Sequence, residues 1–231
     1  MTGGVPAALE AVRARIASAG GDPAAVTVLA VTKGFGPEAV EAALAAGLAD
    51  IGENYAQELL AKAAALEHAS LAPRWHFIGR LQSNKVKALS GAIALWQSVD
   101  RASVVREIAR RDPGAAVLVQ VDISAEATKS GVEPGAAPAL VETALDAGLR
   151  VRGLMGMAAP GGPGVTAPQF AMLRRLVDRL ALEECSMGMS DDLEVAVAEG
   201  STMVRVGTAL FGPRPGAAGS ALGKDGGASL E

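Results

Sequence analysis

The sequence predicts an α/β protein built as a single (β/α)8 TIM-type barrel. Three observations carry that reading. Short apolar runs alternate with helical patterns along the chain, which implies parallel strand pairing. Eight such runs, each followed by a helix or turn, fit into a little over 200 residues. Glycine just past a helix end recurs before an apolar run, at Ala46-Gly47, Ala147-Gly148 and Glu199-Gly200. An open doubly wound sheet is the competing architecture, and no GxGxxG fingerprint supports it.

The elements follow in order. An amphipathic helix over 5–19 precedes the repeat. Strand 26–32 leads to helix 37–47, strand 49–52 to helix 54–67, and strand 74–79 to a helix from about 82 to 90. Strand 93–99 precedes helix 101–111, and strand 116–122 precedes helix 134–148. Strand 150–157 leads through a Gly/Pro loop to helix 168–181. Strand 184–189 precedes helix 191–200, and strand 202–207 runs into a short final turn. Residues 1–215 are expected to form one domain, and the Gly/Ala/Ser-rich stretch 216–231 a disordered tail.

Composition narrows the function. The 231 residues suffice for one sizeable core. A net charge of −4 offers no basic footprint for nucleic acid or an anionic membrane. One cysteine, Cys185, excludes an internal disulfide or a Cys-cluster metal site, and two histidines disfavour a His-based one. No run is long and apolar enough to span a membrane, and the N-terminus lacks a signal-peptide core, so a cytoplasmic protein is expected.

In such a barrel the functional site lies at the C-terminal ends of the strands. The first strand, within VLAVTKGF, runs out on Lys33 with a glycine directly behind it. That lysine either snorkels to solvent or serves a site that wants an amine. The ends of strands seven and eight resemble a phosphate cradle. MGMSDDLE puts Ser190 at a helix N-cap, where its hydroxyl and the following amides favour an anion; plain capping is the competing reading. In VRVGTALFG, Gly207 permits close backbone approach and Thr208 offers a hydroxyl and an amide.

Side chains alternate along a strand. Leu29, Val31 and Lys33 share one side, as do Met203, Arg205 and Gly207. With Val204 and Val206 outward, Lys33 and Arg205 both point into the barrel mouth from neighbouring strands. Two cations beside a phosphate cradle suit an anionic ligand, and the amine permits a Schiff base with an aldehyde or ketone. On the residues alone, His76 reads more readily as a hydrogen-bonded core histidine, Cys185 as packing, and Met155 and Met157 as core filler or as a surface for a flat ring. Asn54 and Tyr55 can simply start a helix.

The motifs AVTKG, IGENYAQE, WHFIGRLQSNK, SVDR, KSGV, RGLMGMA and GMSDDLEVAVAEGSTMVRVGTALFG occur in that order. From about residue 26 to 213 the chain resembles the pyridoxal 5′-phosphate (PLP) homeostasis proteins. The resemblance implies the PLP fold-type III architecture, like the N-terminal barrel of alanine racemase, here with an extra N-terminal helix. It implies PLP as cofactor, held by Lys33 as an internal aldimine. It assigns the phosphate contacts to Ser190, Gly207 and Thr208, the ring side to Arg205, and pocket lining to Asn54, His76 and Met155. The link LALEECSMG before strand seven looks short, which bears on where Ser190 sits. No metal and no catalytic residue are expected.

What the resemblance implies is storage and delivery of PLP in vitamin B6 homeostasis without established turnover; a monomer is expected, with PLP-dependent apoenzymes as recipients. A permanently charged arginine near the pyridine nitrogen agrees, because it disfavours ring protonation and weakens the electron sink. The alternative is a PLP-dependent amino-acid racemase. Racemisation needs an acid/base on each face of the α-carbon, and the chain has one tyrosine, Tyr55, and no expected second domain. A Schiff-base aldolase has only the lysine behind it.

Overall fold

The computed structural model describes residues 4–67, 72–124 and 130–214. The expected tail over 216–231 lies outside the described residues. Helix α1 (Gly4–Ser18) comes first. Then follow β1 (Thr27–Val31), α2 (Pro37–Ala45), β2 (Asp50–Glu53), α3 (Ala56–Glu67), β3 (Arg74–Phe77) and α4 (Ser83–Leu89). The middle holds β4 (Ile93–Val99), α5 (Ala102–Arg111), β5 (Ala116–Val121), α6 (Ala137–Asp146) and β6 (Arg150–Gly156). The last part is α7 (Pro163–Arg179), β7 (Glu184–Ser186), α8 (Leu193–Ala198), β8 (Met203–Val206) and α9 (Thr208–Phe211).

The eight strands are parallel and close in sequence order, with β8 returning against β1. Alternation along the strands builds two apolar layers. Outward residues such as Val28, Ala30, Ile51, Val117, Val204 and Val206 pack under the helices. Inward residues Leu29, Leu95, Ala116, Leu118, Met155 and Met203 fill the barrel itself. The interior below the mouth is therefore packed, and only the C-terminal ends of the strands are left for a ligand.

Helix α1 buries Leu9, Val12 and Ile16, spaced three and four residues apart on one face. That face lies on α8 and α9. Arg15 completes the contact, donating to Glu194 Oε1 at 2.6 Å and to the Ser190 carbonyl at 2.8 Å. The N-terminal helix thus braces the loop after β7.

Several element ends differ from the expectation by a few residues, and three of these differences bear on the architecture. The Gly/Pro stretch expected as a loop before residue 168 already belongs to α7, with Gly162 as N-cap and Pro163 in the first turn. Proline is at ease there, since its fixed φ suits a helix and its missing N–H has no intrahelical acceptor to lose. Strand β7 has only three residues, and α8 starts at Leu193 rather than 191.

Candidate functional site

A cavity of about 510 Å³ opens at the C-terminal ends of the strands. Its lining includes Lys33, Asn54, Met155, Ser190, Arg205, Gly207 and Thr208. Among the described residues four cations, Lys33, Arg80, Arg205 and Arg214, face it against one carboxylate, Asp191, so the cavity favours anions.

Lys33 lies two residues past the end of β1. Gly34 takes φ +75°, a left-handed conformation that glycine adopts without penalty, so the chain turns away as soon as the lysine is placed. The backbone on both sides of Lys33 is pinned. Lys62 Nζ donates to the Thr32 carbonyl at 2.7 Å, and Glu58 Oε2 accepts from the Gly34 N–H at 2.9 Å. Behind them Glu53 Oε1 receives both Lys62 Nζ, at 2.5 Å, and the Thr32 hydroxyl, at 2.6 Å. Glu53 and Lys62 are almost fully buried, and this ion pair ties β1, β2 and α3 together under the lysine. Burial, and then the positive charges of Arg214 and Arg205, lower the pKa of Lys33; the Glu53 carboxylate opposes them. The amine is thereby shifted towards its nucleophilic, uncharged form.

Arg205 is buried, and Leu29 lies opposite it on β1. Its guanidinium donates to the Ser186 carbonyl at 2.8 Å, the Ser186 hydroxyl at 2.9 Å and the Gly156 carbonyl at 2.8 Å. It therefore spans β8, β7 and β6 in one orientation. Burial pushes it down to about 10, which leaves it charged at neutral pH.

The cradle at β7 and β8 forms differently from the sequence reading. Ser190 is not the N-cap of α8; Asp192 is, and its carboxylate accepts from the Met189 N–H at 2.5 Å. The Ser190 hydroxyl instead accepts from the Ala209 N–H in the first turn of α9, at 3.4 Å. That leaves the Ser190 proton free to donate into the cavity, beside Gly207 and Thr208. Asn54 stands on the opposite wall, where its neighbour Gly79 approaches so closely that a Cβ there would lie 1.9 Å from the Asn54 carbonyl. Asn54 Oδ1 is buried without a partner, an acceptor left for a ligand's donor.

His76 does not line the cavity. It lies on β3 opposite Gly52, below the mouth, where its ring nitrogens meet Asp50 at 3.1 Å and Gln97 at 2.8 Å. Tyr55 is exposed and also outside the cavity lining. The sequence reading missed Arg80 and Arg214 as lining residues. Arg214 has no motif of its own; its position follows from the close approach of its side chain to Gly34.

The chain matches the family model "Alanine racemase, N-terminal domain" over residues 7–215. A pyridoxal phosphate homeostasis protein of Pseudomonas aeruginosa is 45% identical over 211 residues, covering 88% of this chain and 91% of the relative. Its counterpart in Aquifex aeolicus is 40% identical over 218 residues, covering 89% and 95%. The chain belongs to the pyridoxal phosphate homeostasis protein family. Among solved structures, PipY of Synechococcus elongatus with PLP bound superposes with a TM-score of 0.74 at 32% identity, covering 87% of this chain and 100% of PipY. D-threo-3-hydroxyaspartate dehydratase from Delftia shares the fold alone, at 17% identity and a TM-score of 0.65 over 90% of this chain and 58% of the enzyme. Within this family fold no described helix is long and apolar enough to cross a membrane. Among the described residues no group of three or more His, Cys, Asp or Glu is placed to hold a metal ion.

Proposed function

We propose that this chain binds pyridoxal 5′-phosphate at the barrel mouth and acts in vitamin B6 homeostasis as a carrier rather than an enzyme. The observation that carries the reading is Lys33: a strand-end amine, shifted towards its uncharged form, in an anion-favouring cavity. The family relatives named for PLP homeostasis, and PipY with PLP bound, support it. When bound, the cofactor supplies an aldehyde that a lysine amine can capture reversibly.

The residues present fit that group. Ser190, Gly207 and Thr208 provide hydroxyls and close backbone for a phosphate, while Asn54 Oδ1 offers an acceptor to a ring hydroxyl. Met155 supplies an apolar wall. Arg205 would face the ring and, being charged, withhold a proton from its nitrogen. That restraint favours holding over turnover, and Tyr55 stands outside the cavity where a racemase acid/base would be needed. The proposal extends to one domain over 1–215, a cytoplasmic monomer, and PLP-dependent apoenzymes as recipients.

The test is spectroscopic. Purified protein loaded with PLP should absorb near ~420 nm, as expected of a lysine-linked aldehyde, and borohydride should fix the adduct on Lys33. A Lys33→Ala protein that retains a reducible adduct in equal yield overturns the assignment. Rapid multiple-turnover exchange of the alanine α-proton in heavy water by wild type would overturn the carrier reading.

A further inference from the structure

His76 does not reach the cavity, yet a continuous chain of buried hydrogen bonds joins it to Arg205. Arg205 Nη1 donates to the Ser186 hydroxyl at 2.9 Å. That hydroxyl donates to Gln97 Oε1 at 2.8 Å. Gln97 Nε2 lies 2.8 Å from His76 Nδ1, and His76 Nε2 lies 3.1 Å from Asp50 Oδ1. Asp50 in turn accepts from the exposed Arg74 at the opposite end of the barrel. Between Arg205 and His76 every member is buried.

The chain has one direction. Gln97 Nε2 also lies 3.1 Å from the Met203 sulfur, a weak acceptor, so the amide nitrogen and not the oxygen belongs on that side. Gln97 then donates to Nδ1, Nδ1 must be bare, and His76 carries its proton on Nε2, towards Asp50. A second proton on the imidazole breaks this order, because Nδ1–H would face the Gln97 amino group. Turning the amide over relieves that clash, but it sets Oε1 against the Met203 sulfur and Nε2 against the Ser186 hydroxyl. The hydroxyl then faces two donors, Gln97 and Arg205, and loses the acceptor for its own proton.

We propose that His76 and Gln97 are positioning residues for Arg205, and that a second proton on His76 reverses this chain and loosens the guanidinium from the Ser186 hydroxyl, one of its three acceptors. The groups facing His76 are Asp50 on β2, with Arg74 behind it, Gln97 on β4, which also meets Met203 on β8, and at longer range Glu184 on β7, which pairs with Arg152. Although burial opposes it, the hydrogen bonds from His76 and Arg74 hold Asp50 well below the usual carboxylate range. Its charge therefore persists well into acid. Glu184 is raised by burial and only partly offset by Arg152 and His76. The consequence for a bound cofactor rests on the PLP reading above: acid would weaken the hold of the ring-side arginine.

The primary experiment needs no cofactor. In nitrogen-15 NMR of the full chain, the Arg205 side-chain N–H exchange and the ring nitrogens of His76 are followed from about pH 7.5 to about 5.5, the range in which imidazole changes charge. A His68→Gln background leaves His76 as the only histidine. Wild type should show the Nε2–H tautomer and slow Arg205 exchange at the upper end. Once the intrinsic pH dependence of exchange is divided out, protection should fall at least about tenfold on acidification. His76→Asn keeps an acceptor for Gln97 but cannot take the second proton, so Arg205 should stay protected throughout. Gln97→Met cuts the chain and should leave Arg205 poorly protected at both ends. An Nδ1–H tautomer in wild type, or the same pH response in wild type and His76→Asn, overturns the proposal.

In the cofactor arm, PLP affinity should fall at least about threefold more in wild type than in His76→Asn over the same range. Equal falls overturn the coupling to the ligand. A wild type that takes no PLP removes the carrier reading, while the Arg205 measurement still decides this inference.

Discussion

Replacing Lys62 by methionine tests what the buried Glu53–Lys62 pair does under the site. Lys62 touches the Glu53 carboxylate and the Thr32 carbonyl, and its ammonium also lies 3.8 Å from the partly exposed Glu58 carboxylate. Without it, Glu53 keeps only the Thr32 hydroxyl, since its second oxygen is already unpartnered. A buried charge stripped of its partner costs about 3–5 kcal/mol. With a urea slope of about 3 kcal/mol per molar, that lowers the unfolding midpoint by about 1–2 M. The deficit also carries a pH signature. Burial already raises the Glu53 pKa, with Lys62 and Thr32 as the main opposing contacts. A carboxyl that binds its proton more tightly when folded loses stability as pH rises from its unfolded to its folded value, and that lost stability persists at higher pH. Removing Lys62 raises the folded value further, so the deficit should grow from about pH 5 to about pH 8. The double variant Glu53→Gln/Lys62→Met leaves no buried charge behind, since Glu58 is partly exposed, and should recover most of the loss. Urea titrations of wild type, single and double variants at both pH values decide it. A double variant less stable than the single, or a deficit that does not change with pH, refutes the reasoning.

The other predictions concern the mouth. Thr208→Ala and Ser190→Ala should each weaken PLP binding roughly ten- to hundred-fold, the loss of one hydrogen bond to a charged group of about 1.5–3 kcal/mol, with little change in unfolding; calorimetric titration showing neither effect would move the phosphate elsewhere. Arg214→Gln removes one of the two positive charges that lower the Lys33 pKa, so the pKa should rise. Because only the uncharged amine attacks a carbonyl, stopped-flow capture of PLP at neutral pH should slow in that variant and recover at higher pH; an unchanged pH–rate profile would show that Arg214 does not act on the amine.

The legible and illegible parts of the molecule separate by range. All eight strands could be read because a parallel strand buried on both faces leaves a short apolar run, and glycine marked the helix ends before several of them. The approach of Lys33 and Arg205 was legible too, since alternation fixes which way each points and closure makes β1 and β8 neighbours. Depth was not legible. His76 points inward as its parity requires, but it pairs with Gly52, two residues below Asn54, and so sits beneath the cavity. SDD offers three successive capping residues, and nothing local says that Asp192 is used rather than Ser190. The Glu53–Lys62 pair depends on how α3 is rotated against β2, which no motif encodes.

The pairing of β1 with β8 has a consequence for the order in which the protein becomes competent. Lys33 and Arg205 stand on the two edges of that seam, and the Arg15 contact to Ser190 crosses 175 residues of chain. Contacts so distant in sequence are slow to form, because the intervening chain must be gathered first. During synthesis the amine emerges well before its guanidinium neighbour and cradle, which lie more than 150 residues further along the chain. A nascent or truncated chain can hold most of the sheet and still present no site. Ligand binding therefore reports that the barrel has closed, and a permutant that moves the seam elsewhere should acquire its site earlier in synthesis.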